Sequence, residues 1–402
     1  MRPNTLEAVF HRSRSGDETV ARSSIIKVAG ETCNINCFYC YEKRKPYANA
    51  QYLTPGVLGE FLDKLGPGPI NIEIHGGEPL IIGLERMQRL LEVIAARSNV
   101  RRLSLQTNGT LLTAAWLSLF DAIVPSLEIG ISLDGDEDGN ALRRDYLDNP
   151  TLSAVAAALD LLSRESRACG VIAVVSETNV MRPEALLSHF AKWPSVKSVS
   201  FAPCFDFAVN PKRIPRHNSA RMEPMLSEGA SAPGWAISPV EFTTFLSRAA
   251  AFWVGECLFN NFTLEPIMSI IRRLEGRHTG LCHFTNLKCG QVLTLYPDGR
   301  VGSCDELPFD VALLGQLEKQ TPSSLIENIS GTQGFNDLKP LLLKCTSCSY
   351  HSLCGGGCLA TRLRYQGTDR YEAYCDHRIA VIEAVRSLWA TADASHDRAS
   401  SQ

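Results

Sequence analysis

The stretch SIIKVAGETCNINCFYCYE, residues 24–42, joins an apolar run of β type to three cysteines, Cys33, Cys37 and Cys40. Cysteine thiolates are the usual protein ligands of iron–sulfur clusters, and a 4Fe-4S cluster has four irons to satisfy. Three cysteines leave one iron open, and an open position is where a metal meets a small molecule. Working outward, the same kind of apolar run recurs at 70–75, 101–108, 127–134, 170–177 and 196–204. Between the runs lie helix-patterned segments such as 54–65, 85–98 and 151–165. Near-continuous apolar strands alternating with helices predict a parallel sheet of six βα units. A partial (β/α)6 barrel and a doubly wound sheet both remain open on this pattern. In either, the three cysteines sit in the loop after the first strand, at the C-terminal face where active sites of parallel α/β folds gather.

The bulk numbers bound the alternatives. The chain has 402 residues, 45% hydrophobic and 21% charged, with a formal net charge of −3. That balance does not suggest a protein whose first business is tracking phosphates, so no nucleic-acid partner is expected. The basic segment PKRIPRH, 211–217, is read as solvated loop, with leader docking as its functional alternative. No run of about 18 apolar residues suggests a membrane span, and the N-terminal residues hold no signal-peptide core. Fourteen cysteines without an export signal predict a reducing, cytoplasmic setting, where clustered cysteines bind metals or do chemistry.

Three further motifs stand at strand ends. HGGEP, 75–79, closes the second strand, QTNG, 106–109, the third, and SLDG, 132–135, the fourth, with Arg143 and Arg144 shortly after. Paired glycines let a ligand approach the backbone closely. Together with the C-x3-C-x2-C spacing and Tyr39 before the last cysteine, this resembles the radical S-adenosylmethionine (radical SAM) superfamily. The resemblance covers residues 24–204 and implies a partial (β/α)6 barrel. It implies a cluster held by Cys33, Cys37 and Cys40, whose open iron is chelated by S-adenosylmethionine. Cleavage of that cofactor would yield a 5′-deoxyadenosyl radical. The cofactor-binding set it implies is Tyr39, Gly76, Gly77, Glu78, Gln106, Asn108, Ser132 and Arg144. Glu78 would face the ammonium group, and Ser132 with Arg144 the carboxylate.

Downstream, Cys289, Gly299, Cys304, Cys345, Cys348, Cys354, Cys358 and Cys375 follow the spacing C-x9-G-x4-C, gap, C-x2-C-x5-C-x3-C, gap, C. This resembles the SPASM module of peptide-modifying radical SAM enzymes, with Cys282 as an eighth thiolate. By resemblance, Cys282, Cys289, Cys304 and Cys358 would hold one auxiliary 4Fe-4S cluster, and Cys345, Cys348, Cys354 and Cys375 a second. That makes three clusters in all. Eight cysteines could equally build two structural zinc sites. Cys169, Cys204 and Cys257 are expected to be buried thiols acting as small hydrophobes. Asp305 is either a turn residue or, by resemblance to anaerobic sulfatase-maturating enzymes, the base that takes a substrate proton.

The expected organisation is an N-terminal extension over 1–22, a radical SAM core over 23–235, and a helical bridge over 236–280. A SPASM domain over 281–380 and a C-terminal helix and tail over 381–402, frayed from 393, complete it. The combination resembles maturases acting on a precursor peptide, drawing electrons from a donor such as flavodoxin or ferredoxin. One branch forms cross-links, including cyclophanes that join a β-carbon to an aromatic ring. Another oxidises Cys or Ser of a sulfatase to formylglycine. A structural or electron-carrying cluster protein, needing no Gly-Gly-Glu-Pro motif, is the non-enzyme alternative. With only about 32 residues before Cys33, leader docking is expected to use the body of the protein or a partner.

Overall fold

A computed structural model describes residues 21–44, 51–205, 234–285, 289, 292–307, 309–321 and 338–399. Residues 1–20 and 206–233, the latter including the basic segment 211–217, lie outside them.

Six parallel strands form the centre: β1 (Arg22–Lys27), β2 (Ile70–His75), β3 (Val100–Thr107), β4 (Glu128–Ser132), β5 (Cys169–Val175) and β6 (Val196–Pro203). They pair in chain order. Right-handed crossovers between sequential strands put the helices on one face, and such a sheet curls into a partial barrel. A doubly wound sheet would reverse its order at a switch point, and this one does not. The choice left open by the sequence is therefore decided for the barrel.

The helices are α1 (Pro55–Leu65), α2 (Leu84–Ala95), α3 (Ala114–Ile123), α4 (Leu152–Arg164) and α5 (Pro183–Phe190). In α1, Leu58, Phe61, Leu62 and Leu65 fall on one stripe and are buried. The strands obey a period of two. Ile70, Ile72 and Ile74 of β2, Leu103 and Leu105 of β3, and Ile129 and Ile131 of β4 are buried in the core. The alternate residues Gln106, Ser132, Ile172, Val174 and Ser200 line the cavity inside the barrel. A one-residue slip would exchange the two sets, so the core specifies the register that points polar groups inward.

Both edges of the six-stranded sheet are extended. After α6 (Pro239–Gly255), the short β7 (Thr263–Glu265) pairs with β6, and α7 (Ile267–Leu274) follows. The helical bridge expected over 236–280 thus holds a three-residue strand between its helices. On the other edge, β8 (Val292–Leu295) pairs in parallel with β1, then turns antiparallel into β9 (Arg300–Gly302) and β10 (Leu313–Gln316). The cysteine-rich region is thereby stitched to the barrel: Leu293, Leu295 and Val301 belong to the main core, while Leu307, Leu338, Leu341 and Leu359 form a smaller one. α8 (Leu359–Tyr365) and α9 (Arg370–Ala399) end the described chain. α9 starts ahead of Cys375 and is helical through Ala399, where a frayed tail was expected from 393.

Candidate active site

The cysteine loop after β1 is clamped from two sides by backbone hydrogen bonds. Gly77 N and Glu78 N donate to Gly30 O and Thr32 O, each at 2.9 Å. Asn36 N and Phe38 N donate to Arg144 O (2.6 Å) and Leu142 O (3.1 Å). The glycines are required by this approach: a Cβ on Gly77 would lie 2.0 Å from Thr32 O, and Gly76 has φ +141° with Gly30 O 2.7 Å from its missing Cβ. Asn108 from the end of β3 completes the clamp, its amide reaching Asn34 Oδ1 at 2.9 Å and Cys33 Sγ at 3.7 Å. Burial, with Glu78 nearby, pushes the Cys33 thiol up.

Cys33, Cys37 and Cys40 open onto a cavity of about 430 Å³. Gly76, Gly77, Gln106, Asn108, Ser132 and Tyr39 share that wall. Gln106 Nε2 donates to Ser132 Oγ at 2.8 Å, which fixes the hydroxyl.

Two expected cofactor contacts are placed differently. The Glu78 carboxylate is fully buried and accepts from Leu80 N (3.0 Å), Thr107 Oγ1 (2.7 Å) and Asn108 N (2.8 Å). It braces the motif against β3 rather than facing the cavity; burial raises its pKa against the pull of those donors. Arg144 turns away, its guanidinium donating to Ala141 O and Asp148 O. Its neighbour Arg143 is buried on the cavity wall, 3.0 Å from the Tyr39 hydroxyl and 4.0 Å from Asp134. Tyr39 in turn donates to Asp134. Burial is the largest influence on Tyr39 and Asp134 and raises both pKa values, keeping the phenol protonated.

A charge cluster that no motif announced lies where β1 meets the C-terminal region. Lys27 is fully buried, with Nζ 2.5 Å from Glu42 Oε1, 2.6 Å from Asp305 Oδ2 and 3.2 Å from His75 Nδ1. Burial, which would lower the lysine pKa, is outweighed by Asp305 and Glu42, so it stays charged. Burial and Lys27 together lower the pKa of His75. Glu42, His75 and Asp305 are spaced closely enough to suggest a metal site, but the ammonium already holds that position. Asp305 stands one hydrogen bond behind the wall: the hydroxyl of Tyr41, a lining residue, donates to it at 3.0 Å.

The C-terminal cysteines fall into two groups. Cys304 hydrogen-bonds Cys289 and feels Cys358, while His283 hydrogen-bonds both Cys282 and Cys358. Burial alone would raise the Cys358 thiol, but His283 brings it down to about 6. Arg362 reaches Cys345 and Cys375, Arg378 reaches Cys354, and Cys348 N donates to Cys345 O at 3.2 Å. Arg362 thus links Cys345 with Cys375, and His283 links Cys282 with Cys358, pairings that fall within the sets the resemblance implied, and N–H donors aimed at sulfur suit iron–sulfur ligation. Arg362 Nη1, buried with no partner among the described residues, marks a space that a further acceptor would fill. Cys169 and Cys204 are buried as expected, whereas Cys257 is exposed, because it sits in a left-handed turn after α6.

Comparison with known proteins agrees with this geometry. The model of the radical SAM superfamily matches residues 28–189. A serine-type anaerobic sulfatase-maturating enzyme of Bacteroides thetaiotaomicron is 26% identical over 84% of this chain and 82% of its own. The structure of native anSMEcpe with bound AdoMet and Cp18Cys peptide superposes with a TM-score of 0.74 at 23% identity, covering 93% of this chain and 99% of that one. Streptococcus suis SuiB bound to precursor peptide SuiA gives 0.57 at 12%, covering 87% and 74%. Cysteine loop, strand-end motifs, barrel and matched family together show that the chain is an enzyme whose residues 28–189 form a radical SAM domain.

Proposed function

We propose that the chain is a peptide maturase that takes a hydrogen from a side chain of a ribosomally made precursor and completes a two-electron oxidation as an intramolecular cross-link. The observation that carries this reading is the continuity of the cavity. Cys33, Cys37 and Cys40 line it, and so do His283, Glu306, Thr361 and Arg364 of the cysteine-rich region. A substrate held there touches both modules. Peptides bound to anSMEcpe and to SuiB, proteins of the same fold, support a peptide as the occupant.

In this reading Cys33, Cys37 and Cys40 hold the cluster, and Gly76 and Gly77 give the cofactor access to bare backbone. Ser132, held by Gln106, and Arg143 rather than Arg144 take the carboxylate. When bound, cluster and S-adenosylmethionine supply the radical chemistry. Asp305, reached through the Tyr41 hydroxyl, accepts the substrate proton, and the two C-terminal cysteine groups would hold acceptors for the second electron.

The choice of a cross-link rests on the apolar wall formed by Phe201, Phe205, Leu246, Phe242 and Tyr374, which suits an aromatic substrate side chain. The sulfatase-maturating relative favours a second reading, formylglycine formation on Cys or Ser. Tandem mass spectrometry of a peptide encoded beside the gene and co-expressed with it separates the two. A cross-link appears as a ring segment that loses two hydrogens, resists backbone sequencing and takes up no hydrazide probe. A hydrazide-reactive aldehyde on a sulfatase Cys or Ser overturns it in favour of formylglycine.

A further inference from the structure

Arg362 and Arg378 are both buried in the cysteine-rich region, at 2% and 6% exposure. A buried charge is strongly unfavourable unless it is paired. Among the described residues neither guanidinium pairs with a carboxylate. Arg362 donates to Gly356 O at 2.6 Å, to Cys375 Sγ at 3.4 Å and to Cys345 Sγ at 3.7 Å. Arg378 donates to Cys354 Sγ at 3.0 Å and to the carbonyls of Cys354 and His283 at 2.8 and 3.1 Å. Both sit against aromatic faces, Arg362 with Tyr371 and Tyr374 and Arg378 with Phe284 at 4.0 Å. Rings and carbonyls orient the guanidiniums but bring no full negative charge. The anion they await has to come from the sulfurs.

We propose that Arg362 and Arg378 are positioning residues that raise the reduction potential of the cluster held by Cys345, Cys348, Cys354 and Cys375. The inference rests on the assignment of those four cysteines to one auxiliary cluster. An oxidised four-iron core with four thiolates carries about two negative charges, and about one more when reduced. Two fixed positive charges against its sulfurs favour the more negative, reduced form, as do N–H donors to sulfur. Three of the four cysteines meet a guanidinium directly, so the effect belongs to this site. The pair thus makes this cluster the better resting place for an electron.

The test is a redox titration of the full-length reconstituted protein followed by electron paramagnetic resonance, with iron counted in parallel. In Arg362→Gln the affinity of one cluster for its electron should fall about tenfold, a shift of roughly 59 mV to more negative potential for a one-electron couple. The other signals should not move. Arg362→Lys, which keeps the charge, should stay near wild type, and Arg378→Gln should shift the same signal. If Arg362→Gln loses that cluster, retention of both cluster and potential in Arg362→Lys upholds the proposal. Loss of iron from both variants makes Arg362 a packing residue and overturns it. Unchanged potentials with full iron also overturn it. Zinc in place of that cluster in the wild type removes the cluster assignment itself, an outcome read from metal content before any variant is compared.

Discussion

Lys27 shows how one residue can organise a site that its neighbours in sequence do not reveal. Its partners are Glu42, 15 positions away, and Asp305, 278 away. Only the pairing of β8 with β1 brings the C-terminal carboxylate to the end of the first strand. Removing one member of a buried ion pair leaves an uncompensated charge and costs about 3–5 kcal/mol. Lys27→Met should destabilise the fold by about that amount in denaturant titration, because two buried carboxylates would face each other. Adding Glu42→Gln and Asp305→Asn should recover much of the loss. Asp305→Asn alone should leave hydrogen abstraction in place while lowering product per deoxyadenosine about 100-fold, the scale of general-base removal. Equal loss of product and deoxyadenosine would instead assign Asp305 to folding or substrate binding.

Elements with strong local periodicity were legible from the sequence, and those made by distant pairing were not. All six barrel strands lie within about two residues of their apolar runs, since the core face of each is read directly from alternation. β7 has three residues, too few to show a period, and β8 is a strand because β1 offers it an edge. Arg143 and Arg144 could not be separated by spacing: they lie in an irregular turn, where one residue decides which side chain enters the cavity. Glu78 was recognisable as part of a motif, but the hydrogen bonds it accepts from Thr107 and Asn108 depend on the end of β3. The motif's glycines offer a direct test at this scale. Gly77→Ala puts a methyl where Thr32 O stands, so the cysteine loop has to shift while the barrel core is untouched. S-adenosylmethionine cleavage should fall on the order of 100-fold with the melting temperature little changed, as expected when reacting groups are misplaced by about an ångström.

At the scale of the whole molecule, barrel and cysteine-rich region share one sheet and one cavity but carry separate cysteine groups. The continuous ladder from β10 through β1 to β7 makes the C-terminal module part of the barrel's frame. Its own groups are held by Arg362, Arg378 and His283, and none of these touches the loop of Cys33, Cys37 and Cys40. The groups should therefore load independently. With four irons in each of three clusters the wild type would hold about twelve. Changing Cys33, Cys37 and Cys40 together to Ala removes ligands from the loop after β1 and leaves the apolar core, to which none of them belongs, intact. That variant should retain about eight irons, by the same count, and produce no 5′-deoxyadenosine. Iron analysis and chromatography of the reduced, reconstituted protein measure both. Continued cleavage by the triple variant would remove the three cysteines from the radical site. Iron falling to near zero would show that the C-terminal groups assemble only when the barrel is loaded, against the separation described here.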